Sequence, residues 1–173
     1  MEDVLEEEWR TIPEFTNYQI SNFGNIYNIK YDMYMRTSVN NFGHVKITLK
    51  SHRTGQRYTR SVAQMVAEAF VEPPNLLCDA VVVLDGDFTN VRAENLVWRP
   101  TWFSWRYTHQ LKWPQPLHYR NLPVINLQTG VEYNSIIEAG MNEGLLFADI
   151  WRSTYTGAPI FPYKAVFKVL QRV

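Results

Sequence analysis

Short segments with two different hydrophobic periods follow one another along the chain, which predicts a mixture of strands and helices. Val45, Ile47 and Leu49 alternate with polar residues, so residues 43–49 are predicted to form a half-buried strand with a basic outer face. In Val62–Phe70 the apolar residues recur at helical spacing, and residues 81–84 are continuously apolar, as in a buried strand. This interleaving of strands and helices predicts an α+β fold.

The last third of the chain predicts a hairpin followed by two helices. Apolar segments flank a turn at Thr129-Gly130, which is the pattern of a β-hairpin. Ser135 and Glu138 have the spacing of a capping box, which begins a helix that Gly144 ends, and a second helix is predicted from about residue 147 to 155. Two short helices joined at a glycine make a helix-turn-helix candidate. Residues 108–120 are predicted to be the linker before this part.

Composition narrows the class of protein. The chain has 173 residues and a formal charge of zero, so it lacks the strongly basic character of the simplest nucleic-acid-binding domains. One cysteine, Cys78, excludes an internal disulfide framework and a Cys-rich zinc module. The first eight residues are acidic rather than basic and then apolar, and no apolar run is long enough to cross a membrane. We therefore expect a cytoplasmic protein without a membrane partner.

Although the net charge is zero, Lys and Arg residues are concentrated in one segment of the chain. Residues 30–60 hold seven Lys and Arg residues, with Asp32 as the one acid. One interpretation is a surface for nucleic-acid phosphates, and the other is a solvated strand face whose partner is the acidic N-terminus. The first interpretation predicts phosphate contacts at Lys46, Lys50, Arg53, Arg57 and Arg60, and at Arg152 on the second helix of the helix-turn-helix candidate.

Several segments together resemble the HNH homing endonucleases of phages and introns, which have a ββα-metal fold. The segments are EWRTIP at residues 8–13 with YQISNFG at 18–24, SVAQMVAEAF at 61–70, VVLDGDFTN at 82–90 and ENLVW at 94–98. The resemblance implies an N-terminal nuclease-associated β module over residues 1–55, an HNH-like core over 56–107, the linker over 108–120 and a helix-turn-helix module over 121–173.

The resemblance also implies where catalytic groups should stand. The general-base position falls on Val83, the preceding metal-ligand position on Val82, the helical ligand position on Ser104, and a further histidine position on Ala63. Valine has neither a lone pair for a metal nor a titratable group. We therefore predict no catalytic residue, no metal and no cofactor, with Asp85, Gly86 and Asn95 kept for structural roles.

Three functions follow as hypotheses. The first is a non-catalytic, non-enzymatic protein that binds double-stranded DNA, such as a phage or mobile-element regulator in the host cytoplasm. The second is an inhibitor or adaptor that binds a host or phage protein through an aromatic surface, since aromatic residues dominate interface hot spots. That surface is formed by Trp102, Phe103, Trp105 and Tyr107. The third is an active nuclease in which Asp85 and Asp87 hold Mg²⁺.

Overall fold

The chain is described by a computed structural model over residues 6–73, 76–112 and 121–170. It divides into two compact units, residues 1–101 and 102–173. The strands of the first unit are β1 (Trp9–Ile12), β2 (Phe15–Ser21), β3 (Ile26–Asn28), β4 (Met33–Tyr34), β5 (Ser38–Val39), β6 (Val45–Lys50), β7 (Arg57–Ser61), β8 (Ala80–Val83) and β9 (Leu96–Arg99). Helix α1 spans Val62–Phe70, as the spacing predicts, and a 3₁₀ turn spans Ala93–Asn95.

Among the described residues of the first unit, antiparallel pairing builds three sheets. Strands β1 to β4 pair in chain order, β5, β6 and β7 form a second sheet, and β8 pairs with β9 in a hairpin. Apolar residues from these sheets meet around α1 in one buried cluster that includes Ile20, Leu49, Val66, Val83 and Leu96. The predicted boundary at residue 55 therefore crosses a shared core, because both sides of it bury side chains in the same cluster.

The turn between β2 and β3 holds the long connection between β8 and β9. The backbone N–H of Ala93 donates to the Asn22 carbonyl at 2.8 Å. The Arg92 guanidinium lies 3.8 Å from the centroid of the Phe23 ring, within cation–π distance. These contacts join the N-terminal strands to the hairpin connection.

The second unit contains the rest of the helices. Its elements are α2 (Thr101–Lys112, from Trp102 onward in this unit), β10 (Val124–Asn126), β11 (Glu132–Tyr133), α3 (Ile136–Glu143), α4 (Phe147–Thr156) and β12 (Phe167–Val169). Strand β10 lies between β11 and β12. The predicted hairpin and helix pair are present, whereas β12 has no counterpart in the sequence predictions.

Local chemistry explains the helix pair. The Ser135 hydroxyl accepts a hydrogen bond from the Glu138 backbone N–H at 3.0 Å, as the predicted capping box requires. Gly144 ends α3 in the left-handed region at φ 61°. Helix α2 extends to Lys112 and so occupies the beginning of the predicted linker, whose remaining residues, 113–120, lie outside the described part.

Candidate nucleic-acid interface

The outer face of the β5–β6–β7 sheet carries cations and hydroxyls. In the antiparallel register, Lys50 lies opposite Arg57 and Thr48 opposite Thr59, and residues opposite each other share a face. Lys46 is on the same face, because side chains alternate along β6 and its apolar residues are buried on the other side. The face therefore combines three cations with threonine side chains.

Two hydroxyls lie between these cations. The Oγ1 atoms of Thr48 and Thr59 are 2.9 Å apart and hydrogen-bonded across the strands. A hydroxyl both donates and accepts, so the pair keeps capacity for a phosphate oxygen. Sequence reasoning missed both threonines, although their positions alternate with the buried residues in the same way as the lysines.

Arg60 does not belong to this face, and the prediction that it contacts phosphate is corrected. It lies opposite Ile47, on the side of the sheet that faces the core. Its guanidinium pairs with the Glu14 carboxylate at 2.5 Å and with the Glu68 carboxylate at 3.3 Å. Two carboxylates already satisfy its charge, so this arginine ties β7 to the β1–β2 turn and to α1.

Arg53 is exposed, but in a different setting from the strand cations. It lies in the turn between β6 and β7 and lines an open cleft of about 580 Å³ together with His52 and Tyr58. Glu14 lines the same cleft. Arg53 therefore extends the positive surface past the end of the strands, next to one acidic group.

The β8–β9 connection is held by an asparagine at its centre. The Asn95 side-chain oxygen accepts from the Asp85 backbone N–H at 3.1 Å, and its amide donates to the Asp85 carboxylate at 3.0 Å and to the Asn90 carbonyl at 2.8 Å. Gly86 takes φ 78°, which suits glycine at the turn. These contacts support a structural role for Asp85, Gly86 and Asn95.

Asp87 stabilises the other half of the same turn. Hydrogen bonds from the Thr89 hydroxyl, at 2.6 Å, and from the Thr89 backbone N–H lower the pKa of the Asp87 carboxyl. Because the pKa is lowered on folding, the ionised carboxylate contributes stability above the ordinary aspartate pKa. That contribution is lost as the pH falls through the lowered pKa.

The positions expected to hold catalytic groups contain small or aliphatic side chains. Val82 and Val83 are 2% and 7% exposed, and Val83 is part of the hydrophobic core. Ala63 packs partly buried on α1, and Ser104 lies on α2 in the second unit.

The hairpin does not assemble a divalent-metal site. The Asp85 carboxylate already accepts from the Asp87 backbone, Asn90 and Asn95, and valine offers no donor atom. Within the described ranges no cluster of three or more His, Cys, Asp or Glu residues could hold a metal ion. The side chains of this hairpin therefore do not fit a divalent metal ion.

Replacement of Asn95 by alanine is expected to destabilise the protein by about 2–3 kcal/mol. The change removes three hydrogen bonds of a buried side chain and leaves the Asp85 backbone N–H and the Asn90 carbonyl without their partner. Urea unfolding followed by circular dichroism measures the loss. Asn41→Ala, at an exposed asparagine in another turn, is the control and should stay within about 0.5 kcal/mol of the wild type.

The predicted aromatic surface on α2 is only partly exposed. Trp102 and Trp105 are exposed, whereas Phe103 and Tyr107 are 2% and 0% exposed and stack on each other with centroids 6.3 Å apart. The Tyr107 hydroxyl also donates to the Gly140 carbonyl at 3.4 Å. Phe103 and Tyr107 are therefore buried residues of the second unit, which corrects their assignment as partner-binding residues. For Trp102 and Trp105 a protein-binding role stays a prediction.

Helix α4 offers few free polar groups for contacts with DNA. Arg152 is exposed but forms an ion pair with Asp149 at 3.0 Å. The Ser153 hydroxyl is buried and donates to the Ala158 carbonyl, and the Thr154 hydroxyl donates to the Trp151 carbonyl. These hydroxyls are used within the helix and at its C-terminal end.

Comparison with known proteins agrees with this architecture. Residues 7–62 match the family model of the NUMOD4 motif. A solved structure of the HNH homing endonuclease I-HmuI, described for its DNA binding and cleavage, matches with a TM-score of 0.52 and 23% identity, covering 96% of this chain and 99% of that one. A search of curated protein sequences found no match. The chain is therefore homing-endonuclease-like in fold, which confirms the resemblance and the α+β class.

The same comparisons overturn the prediction that the protein is not an enzyme. The NUMOD4 motif and the matched fold both point to homing endonucleases, an enzymatic family, and I-HmuI cleaves DNA. The side chains of Val82, Val83 and Ala63 show only that these three positions lack lone pairs, and an absence of activity in the whole protein does not follow from that. In the described part of the chain, no helix combines the length and the hydropathy needed to cross a membrane.

Proposed function

We propose that this homing-endonuclease-like protein binds double-stranded DNA through the outer face of the β5–β6–β7 sheet. The proposal is supported by the positive charge of one segment together with the register of its strands. Residues 33–61 contain six Lys and Arg residues and no Asp or Glu. The strand register brings Lys46, Lys50 and Arg57 from this segment onto a single face. A face with cations and no acids matches the phosphate backbone of DNA.

The polar groups between the cations suit the same ligand. Thr48 and Thr59 present hydroxyls at the centre of the face, and phosphate oxygens accept hydrogen bonds from such hydroxyls. Lysine ammonium groups act as mobile point charges, whereas Arg57 provides a planar fork that binds two phosphate oxygens. The face is therefore suited to holding the DNA backbone in a fixed register, with sequence recognition left to other groups.

Helix α4 is the weaker candidate for DNA contact. Arg152 is already paired with Asp149, whose carboxylate repels phosphate, and the neighbouring hydroxyls are used inside the protein. We therefore assign the main electrostatic contact to the sheet and give Arg152 a secondary role.

DNA cleavage is a second candidate function, favoured by the fold match to I-HmuI, an enzyme described as cleaving DNA. The test is incubation of the purified protein with supercoiled plasmid in Mg²⁺ or Mn²⁺, with EDTA as the control. Metal-dependent nicking that follows the protein through purification supports this candidate. A plasmid that stays supercoiled throughout contradicts it.

Binding itself is tested by titrating the protein into a labelled duplex at several salt concentrations. If three phosphates are neutralised by the sheet, the affinity should fall as salt rises, with a logarithmic slope at least as steep as about −2.7, since each phosphate contributes about −0.9. Fluorescence anisotropy provides the measurement. A duplex that remains unbound at low salt contradicts the proposal.

A further inference from the structure

The tip of the β5–β6 hairpin holds an aromatic side chain out in solvent. Phe42 is 77% exposed, more than any other described Phe, Trp or Tyr residue. It stands between Asn41 and Gly43, and Gly43 takes φ 85° to close the turn. An exposed phenylalanine gains no burial energy in the free protein, so a partner that covers it would add that burial energy on binding.

The turn that carries Phe42 is rigidly built. The Asn40 side-chain oxygen accepts from the backbone N–H groups of Phe42, at 3.0 Å, and His44, at 2.9 Å. The Asn40 backbone also donates to the His44 carbonyl and accepts from the Gly43 N–H. The His44 ring packs on Phe88 with centroids 4.4 Å apart. Phe42 is thus presented by a fixed turn that is anchored to the β8–β9 connection.

The surroundings of Phe42 indicate the kind of partner. Residues 33–61 have no Asp or Glu, and β6 runs from this tip directly to Lys46 and Lys50. A protein pocket for an exposed phenylalanine needs no such excess of positive charge, whereas DNA does. Apolar wedges on DNA-binding proteins insert between base pairs from the minor groove, where asparagine side chains also contact the base edges.

We propose that Phe42 is an apolar wedge that inserts between two base pairs of the DNA held by the β5–β6–β7 sheet. The proposal rests on the proposed function, because the sheet must hold the duplex for the tip to reach its groove. The rigid turn lowers the ordering cost of insertion, since the side chain is already presented before binding. Flexible pyrimidine–purine steps, which unstack most easily, are the expected sites.

Phe42→Ala tests the wedge, with Phe42→Trp as the conservative variant. Position 42 is exposed, so both variants should fold, and circular dichroism checks this. The probe is a duplex of about 30 base pairs with TpA steps, in which 2-aminopurine replaces single adenines. We expect wild type and Phe42→Trp to raise 2-aminopurine fluorescence on binding. Phe42→Ala should bind roughly 10-fold more weakly at every salt concentration and give no fluorescence rise.

The salt slope separates this contact from the phosphate contacts. An apolar wedge releases no counterions, so Phe42→Ala should leave the slope of log affinity against log salt unchanged. Leu76→Ala is the matched control, because Leu76 is also an exposed apolar residue but stands between Glu72 and Asp79 in the sequence. The affinity of this variant for the duplex should equal that of the wild type.

Four results would overturn the wedge. Wild-type binding without a fluorescence rise removes the wedge and leaves the proposed function standing, and so does equal affinity of wild type and Phe42→Ala. An equal loss in Leu76→Ala also overturns it. Failure of the wild type to bind DNA removes the proposed function and the wedge together.

Discussion

Alanine at Lys46, Lys50 and Arg57 together is expected to lower the affinity for duplex DNA by roughly 10²–10³-fold in about 0.1 M salt. The three side chains lie on one face of the β5–β6–β7 sheet, with Lys50 directly opposite Arg57. Each neutralised phosphate contributes about 0.9 to the salt slope, so the triple variant should flatten the slope by about 2.7. Anisotropy titrations of wild type and variant on the same duplex measure both quantities.

A second triple variant removes the same formal charge elsewhere. Arg106, Lys164 and Lys168 are exposed and lie in the second unit. Their replacement by alanine should cost much less affinity and leave the slope nearly unchanged, if binding depends on where the charges lie. Equal losses in the two triple variants would contradict the sheet as the main contact and point to net charge instead.

The basic face is predictable from the sequence, but its exact membership is not. Alternation in β6 is visible, because Val45, Ile47 and Leu49 mark the buried side. In β7 the exposed and core-facing cations look alike, since Arg57 and Arg60 are both arginines in a polar strand. Only the register, which sets Arg60 opposite Ile47, and the distant Glu14 carboxylate decide that Arg60 is paired inside. Contacts across 46 residues cannot be inferred from a local pattern.

The burial of two aromatic residues on α2 can be predicted from their spacing in the sequence. Phe103 and Tyr107 are four residues apart, a spacing that places both on one helix face and favours burial of that face. The structure stacks them inside the second unit, while Trp102 and Trp105 on other faces are exposed. Interpreting the segment by helical period rather than by its aromatic content separates these two pairs.

The division of the chain cannot be predicted from composition. Turn formers and aromatics are frequent in residues 11–29, and the family resemblance implies a separate module over residues 1–55. In the structure their apolar residues share a core with α1 and the β8–β9 hairpin. One close approach between them is at Gly24, in the β2–β3 turn, where an added β-carbon would meet Val91 in the β8–β9 connection. No local pattern encodes a contact between segments so far apart in the chain.

Gly24→Ala is therefore expected to destabilise the first unit by about 4 kcal/mol. A β-carbon at position 24 would lie 2.3 Å from the Cγ2 atom of Val91, and Gly24 has φ 88°, in the left-handed region. The left-handed backbone costs an alanine about 1–2 kcal/mol, and overpacking costs a further ~1–3 kcal/mol. Urea unfolding followed by circular dichroism provides the measurement.

Two further variants separate the backbone cost from the clash. Gly55 has φ 70°, and no atom lies within 4 Å of the place that a β-carbon would take there, so Gly55→Ala carries the backbone cost alone, about 1–2 kcal/mol. Val91→Ala removes the atom that clashes with the new β-carbon. In the Gly24→Ala background it should therefore lower the free energy of unfolding by less than it does in the wild type. This coupling exists only if the β2–β3 turn and the hairpin connection fold as one unit. Additive losses, or equal losses at Gly24 and Gly55, would contradict a shared core between the NUMOD4 segment and the β8–β9 hairpin.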